Sequence, residues 1–208
     1  MVSLAPPEAP PPAEPQPQLV VAVTGHRPDK LGGYKVPNEL YDLVIAGLVK
    51  AFEQYRPAYV LTGMALGVDQ WAADICLGMG IPFVAAVPFD DQDKIWPPHS
   101  KAKYQWLLTK AYQVTRVNMG PYSPQKMQAR NQWMVNSAHL VIAVWNGTAG
   151  GTANCVGYAT ERKKQIHYVP LPPVGMPVGE FFQKVYGAEA QQAPQAPALN
   201  TGKRIVEI

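Results

Sequence analysis

His26 and Arg27 follow directly on an apolar run, Leu19 to Val23, that stops at Thr24 and Gly25. An imidazole and a guanidinium in that place are groups that can meet a ligand. Arg27 can fork onto a phosphate or carboxylate. His26 can donate to a phosphate, stack on a base, or act as an acid or base near neutral pH. Each also has a structural role open to it: Arg27 as a cap on a helix C-terminus, His26 packed against its own loop. Three glycine-rich turns share this character, "TGHRP" (24–28), "TGMALGVD" (62–69) and "NGTAGGTAN" (146–154). Gly25, Gly63, Gly67, Gly147, Gly150 and Gly151 remove side chains where a ligand or a helix must come close. Gly150, Gly151 and Thr152 lead straight into a helical pattern. Free amides and the dipole at such a start make a phosphate-binding loop. Thr24, Met64 and Ala65 stand in the same turns and join the candidate ligand site.

Asp69 sits at the mouth of a helix. It either caps that helix or accepts hydrogen bonds from a ribose or a base amine. With His26 it is also a candidate for catalysis. Arg130 and Asn131 lie mid-helix in "QARNQWMVNSAH" (128–139), with Arg130 on the same side as Met127 and Met134. On that side Arg130 is a second anion clamp or a side chain snorkelling at the solvent edge. Trp145 ends an apolar run at the same rim and is the aromatic best placed to stack on a base; Trp96 and Tyr158 read as core.

These residues need a scaffold that brings distant turns together, and the hydrophobic periodicity supplies one. Strands are expected at 19–25, 58–63, 82–89, 113–118, 139–145 and 165–171. Helices are expected at 37–55, 68–80, 100–111, 124–137 and 151–164. Ser123-Pro124 is a strong helix start. Strand alternates with helix, and the strands are apolar on both faces. That pattern predicts a Rossmann-like, doubly wound, mostly parallel sheet with helices on both faces. Ligands in such sheets bind at the carboxyl ends of the strands near the switch point, where every turn named above falls. Residues 1–18, nearly all Pro, Ala, Glu and Gln, are expected to be a disordered Pro-rich tail. The domain spans 19–171, and 172–208 is expected to be a largely irregular extension.

The 208 residues carry a net charge of +3, with 47% hydrophobic and 16% charged residues. This is the composition of a soluble domain, and its basic residues form no dense block. Two cysteines far apart and four scattered histidines predict neither a zinc site nor a disulfide framework, and point to a reducing compartment, hence the cytoplasm. No transmembrane run and no signal peptide is read. The GxGxxG fingerprint, an acidic end to the second strand, a GxSxG elbow and a GxxxxGK[ST] loop are all missing, so no cofactor is expected.

"VTGHRPDKLGGY", "LTGMALGVDQWAA", "ARNQWMVNSAHLVIAVWNG" and "GGTANCVGYA", in that order over about 19–171, resemble the YspA/YpsA-like branch of the SLOG superfamily. That superfamily also holds the LOG phosphoribohydrolases and the Rossmann domain of DprA. The resemblance implies a pocket for a nucleotide or nucleotide-derived signal, in signalling or in conflict with mobile elements. Two departures matter. LOG enzymes carry PGGxGTxxE; here Thr152 is followed by Ala153-Asn154-Cys155, and the first acid, Glu161, lies roughly 13 Å into the helix. Residues 63–69 resemble the "SGxARGID" turn of DprA, with Leu66 in place of its arginine. A nucleotide-binding protein rather than an enzyme is therefore expected. Two alternatives stay open: an N-glycosidic hydrolase or transferase acting on nucleotides, and a DprA-like single-stranded DNA binder, which the even spread of charge disfavours. A homo-oligomer is compatible with the sequence; a membrane partner is not expected.

Overall fold

A computed structural model describes residues 18–187. In chain order the elements are β1 Val20–Gly25, a short 3-10 turn at Pro28–Lys30, α1 Glu39–Tyr55, β2 Tyr59–Thr62, α2 Val68–Met79, β3 Phe83–Val87 and α3 Pro98–Lys110. There follow β4 Gln113–Arg116, α4 Pro124–Ser137, β5 Leu140–Val144, α5 Gly151–Glu161, β6 Gln165–Val169 and α6 Val178–Tyr186. The six strands form one sheet in the order β4-β3-β2-β1-β5-β6, and every pairing is parallel. The expectation of a mostly parallel sheet thus resolves to a wholly parallel one.

The chain winds outward from β1 to β4, then crosses back to lay β5 against the other side of β1. This reversal between β1 and β5 is the switch point, and it opens a crevice at the carboxyl ends of both strands. Strand alternation divides the core. Val21 and Val23 of β1 face a layer with Leu48 of α1, Trp71 of α2 and Leu107 of α3. Ala22 faces the opposite layer with Met134 of α4 and Cys155 of α5. Small residues on that second face, Ala22 and Ala86, let α4 and α5 sit close to the sheet.

Two expectations need adjustment here. The helix read over 151–164 ends at Glu161. The extension read as irregular contains α6, whose Phe181 and Tyr186 pack with Leu43 of α1. A nine-residue helix between Pro177 and Gly187 gives too short a periodic run to show in sequence. The Pro-rich tail, 1–17 of the expected 1–18, and the segment from 188 onward lie outside the described residues.

Candidate functional site

The glycines of the first two turns act first by letting the turns touch. A Cβ on Gly25 would stand 2.5 Å from Val68 Cγ1, and one on Gly67 would stand 2.8 Å from the His26 carbonyl oxygen. Gly67 also has φ +95°, which L side chains rarely adopt. With both side chains absent, α2 starts directly against the end of β1, and the Val68 amide donates to the His26 carbonyl.

Above this contact the crevice holds a cavity of about 630 Å³. The end of β1 and its loop supply Thr24, Gly25, His26, Arg27, Asp29 and Lys30. The second turn supplies Ala65 and Asp69. The α4 wall carries Gln125, Gln128, Arg130 and Asn131, with Tyr122 just before it, and the α5 wall carries Gly150, Gly151, Thr152 and Asn154. Five residues expected at the ligand do not line this cavity. Met64 is fully buried in the core. Gly63 packs against the Arg130 guanidinium, and Gly67 against the His26 carbonyl and Pro28. Trp145 and Gly147 stand outside the wall, and the Trp145 indole N–H donates to the Thr148 carbonyl, closing its own loop.

Asp69 does not cap α2. Gly67 occupies the cap position, and Asp69 lies inside the first helical turn. Its Oδ2 turns back to accept the Ala65 amide at 3.2 Å. The same oxygen is 3.6 Å from Nη1 of Arg130, an ion pair too long for a hydrogen bond. Arg130 is not at the solvent edge either: it is 4% exposed, and its Nε and Nη1 have no hydrogen-bond partner. Gly63 makes its position possible, since a Cβ there would stand 1.3 Å from Nη1. Burial pushes the Asp69 carboxyl above its ordinary range, and the positive charges of Arg130 and Arg27 pull it back. Arginine stays protonated in proteins, so Arg130 remains a buried cation. Two guanidiniums therefore act on one carboxylate, which leaves excess positive charge at the cavity.

His26 is buried, and its Nε2 lies 2.6 Å from Oδ1 of Asn146. That oxygen also takes the Thr148 amide and hydroxyl, and the Asn146 backbone amide donates to the same Nε2 at 3.2 Å, so Asn146 holds the imidazole through both its side chain and its backbone. Burial lowers the His26 pKa and keeps the ring neutral. Lys30 adds a second tie, donating to the Thr148 hydroxyl at 2.9 Å and the Ala149 carbonyl at 3.0 Å. The β1 loop thus grips the loop that presents α5. Lys30, Asn146 and Thr148 do not stand out in the sequence, because their pairing spans more than a hundred residues. Gly150 begins α5 with no side-chain cap, leaving the first amides of the helix free. A Cβ on Gly151 would meet nothing within 4 Å. Asn131 reaches the Gly151 carbonyl from α4 at 3.4 Å. Among the described residues no three His, Cys, Asp or Glu side chains gather as metal ligands.

A cationic floor, a free helix N-terminus and a neutral imidazole suit an anionic small molecule. The sequence model of the YspA SLOG family matches residues 21–174. The uncharacterised SPbeta prophage-derived protein YoqJ of Bacillus subtilis (strain 168) is 35% identical over 133 residues, 56% of this chain and 75% of that one. A UPF0398 protein of Bacillus thuringiensis (strain Al Hakam) is 24% identical over 156 residues, 71% of this chain and 85% of that one. Among solved structures, DNA processing protein A (DprA) from Streptococcus pneumoniae aligns with a TM-score of 0.55 at 18% identity, over 81% of this chain and 57% of that one. The molybdenum cofactor binding protein from Rippkaea orientalis aligns with a TM-score of 0.50 at 16% identity, over 83% and 87% of the two chains. These two likenesses establish a shared fold.

Proposed function

Because the chain belongs to the YspA SLOG family, we propose that it binds a nucleotide or nucleotide-derived small molecule in the crevice between β1 and β5, as a sensor in signalling or in conflict with mobile elements. The observation that carries this reading is Arg130, a cavity-lining guanidinium with two buried N–H groups and no partner for either. Each unmade hydrogen bond to a buried group costs about 1–3 kcal/mol, and the poorly compensated charge of Arg130 favours an anion bound in the cavity beside it. The free amides of Gly151 and Thr152 supply a second anion contact from the opposite wall. A prophage-derived relative fits the setting of conflict with mobile elements. Cys76 and Cys155 are both free and buried, in keeping with a reducing cytoplasm. No helix among the described residues is long and apolar enough to cross a membrane.

One fold neighbour, DNA processing protein A from Helicobacter pylori, binds single-stranded DNA. That activity needs a continuous cationic groove with stacking aromatics. Here Lys30, Lys126 and Arg116 are each held by partners in neighbouring loops, so the described rim offers few free cations. The small-molecule reading uses the groups that are left free. The test is a thermal-shift screen of the full chain against nucleotides, cyclic nucleotides, ADP-ribose and the matching nucleosides. A ligand at 100 times its dissociation constant adds about 2.7 kcal/mol, which moves a domain of this size by several degrees. Shifts with phosphorylated ligands and not with nucleosides are expected. No shift with any of them overturns the reading.

A further inference from the structure

The α4 side of the cavity changes chemistry along its length. Helices in this fold run antiparallel to the strands, so α4 begins at the mouth and descends. Arg130, six residues after Pro124, lies about 9 Å deeper along the helix. Near the mouth the wall is neutral: Tyr122, then Gln125 and Gln128 one helical turn apart. The side-chain amides of Gln125 and Gln128 bond to no other described residue. Among the described residues, Tyr122 is the only Phe, Tyr or Trp that lines the cavity.

Tyr122 is 64% exposed, yet it is held in place. Its ring meets buried Phe89 edge to face, with centroids 5.5 Å apart and planes at 80°. Its loop is tied by Lys126, whose Nζ donates to the Met119 carbonyl at 2.7 Å and the Pro121 carbonyl at 2.6 Å. Gly120 donates its amide to Asp90 Oδ2 at 2.7 Å, fastening the same loop to the one after β3. An aromatic ring that is fixed but uncovered offers a ligand large contact at small entropic cost.

We propose that Tyr122, Gln125 and Gln128 form the ring-binding end of the cavity. Tyr122 stacks on the face of a planar heterocycle such as a nucleobase, and the two amides hydrogen-bond its edge. The anionic end of the same ligand goes to Arg130 and the N-terminus of α5. The inference rests on the nucleotide reading above and adds which wall reads the base.

The experiment is calorimetric titration of the full chain with AMP and with ribose 5-phosphate, which keeps the phosphate and sugar and lacks the base. Tyr122→Leu should weaken AMP about tenfold or more and leave ribose 5-phosphate unchanged, while Tyr122→Phe keeps AMP binding. Melting points of both variants should match the wild type, because the ring is mostly outside the core. AMP affinity untouched by Tyr122→Leu, or both ligands weakened equally, overturns the assignment. Wild-type protein that binds ribose 5-phosphate as tightly as AMP also overturns it while sparing the anion site. Wild-type protein that binds neither overturns this inference, and the nucleotide reading falls with it when the thermal-shift screen also shows no shift with any nucleotide.

Discussion

Nη1 of Arg130 stands 3.6 Å from Oδ2 of Asp69, in the space that the missing side chain of Gly63 leaves open. The two partners are not equivalent. A buried carboxyl can take up a proton and become neutral, and burial already moves Asp69 in that direction. A buried guanidinium has no such escape.

Removing the partners one at a time should therefore have unequal consequences. Asp69→Asn leaves Arg130 as an unpaired buried charge and should cost about 3 kcal/mol. Arg130→Met leaves a carboxyl that protonates instead, and should cost less. Urea unfolding of both variants near neutral pH measures the difference; equal costs would show that the ion pair does not govern this part of the fold.

Gly63→Ala probes the same pair through space alone. Its Cβ would overlap Nη1 of Arg130 and push the guanidinium away from Asp69. A loss of about 1–3 kcal/mol is expected from the overpacking. Affinity for ribose 5-phosphate should drop with it, since the displaced cation is the proposed anion contact. Retained affinity in a folded Gly63→Ala protein would remove Arg130 from the binding site.

Gly151→Val should behave in the opposite way. A Cβ there meets no atom within 4 Å, so the melting point should hold, and the branched side chain is expected to stand in front of the free amides. AMP binding should weaken at least tenfold, about 1.4 kcal/mol. Arg27→Ala, at an exposed residue of the same cavity, should weaken phosphorylated ligands more than nucleosides. Titrations with adenosine beside AMP separate an anion contact from a general loss of fit.

The pH dependence of stability follows from His26. Its folded pKa lies below the ordinary 6.5, because burial disfavours the imidazolium. Between the two values the unfolded chain binds more protons than the folded one, so stability rises with pH there. The contribution is complete above 6.5 and is lost as the pH falls from 6.5 through the folded value. Burial shifts His167 the same way, so both histidines contribute to the slope. Melting points from about pH 8 to about pH 5 should fall on the acid side, and His26→Gln should flatten part of that fall. An unchanged slope in the variant would mean that burial does not depress the His26 pKa.

Catalysis is tested by time course. The LOG-type acid position after Thr152 holds Ala153-Asn154-Cys155, and Asp69 is occupied by Arg130 and the Ala65 amide. General acid–base help is worth about 10²–10⁴-fold, so without it release of free base from nucleotides, NAD or ADP-ribose should be absent. Chromatography of incubated mixtures follows the base. Turnover that disappears in Asp69→Asn while binding persists would replace the sensor reading with an N-glycosidic enzyme.

The alternation of strand and helix is legible in the chain alone, and with it the parallel sheet and the edge where ligands bind in such sheets. Those signals are local: apolar runs such as Leu140 to Val144 and helix starts such as Ser123-Pro124 depend on near neighbours. The three glycine-rich turns and the residues Arg27, Asp69 and Arg130 are legible for the same reason, since residue type and position at a strand end or on a helix face mark them. The contacts each residue makes there depend on which distant segments the fold brings to it. Asp69 pairs with Arg130 instead of capping α2 because the turn after β2 meets α4, which lies far along the chain. His26 is committed to Asn146, and Lys30 to Thr148, because β1 and β5 are neighbours in the sheet though far apart in sequence. Gly63 and Gly67 make room for Arg130 and for the His26 loop, a distinction set by what packs above each Cα. Tyr122 gains its place from a loop fastened to the loop after β3 and to α4, contacts that no local pattern encodes.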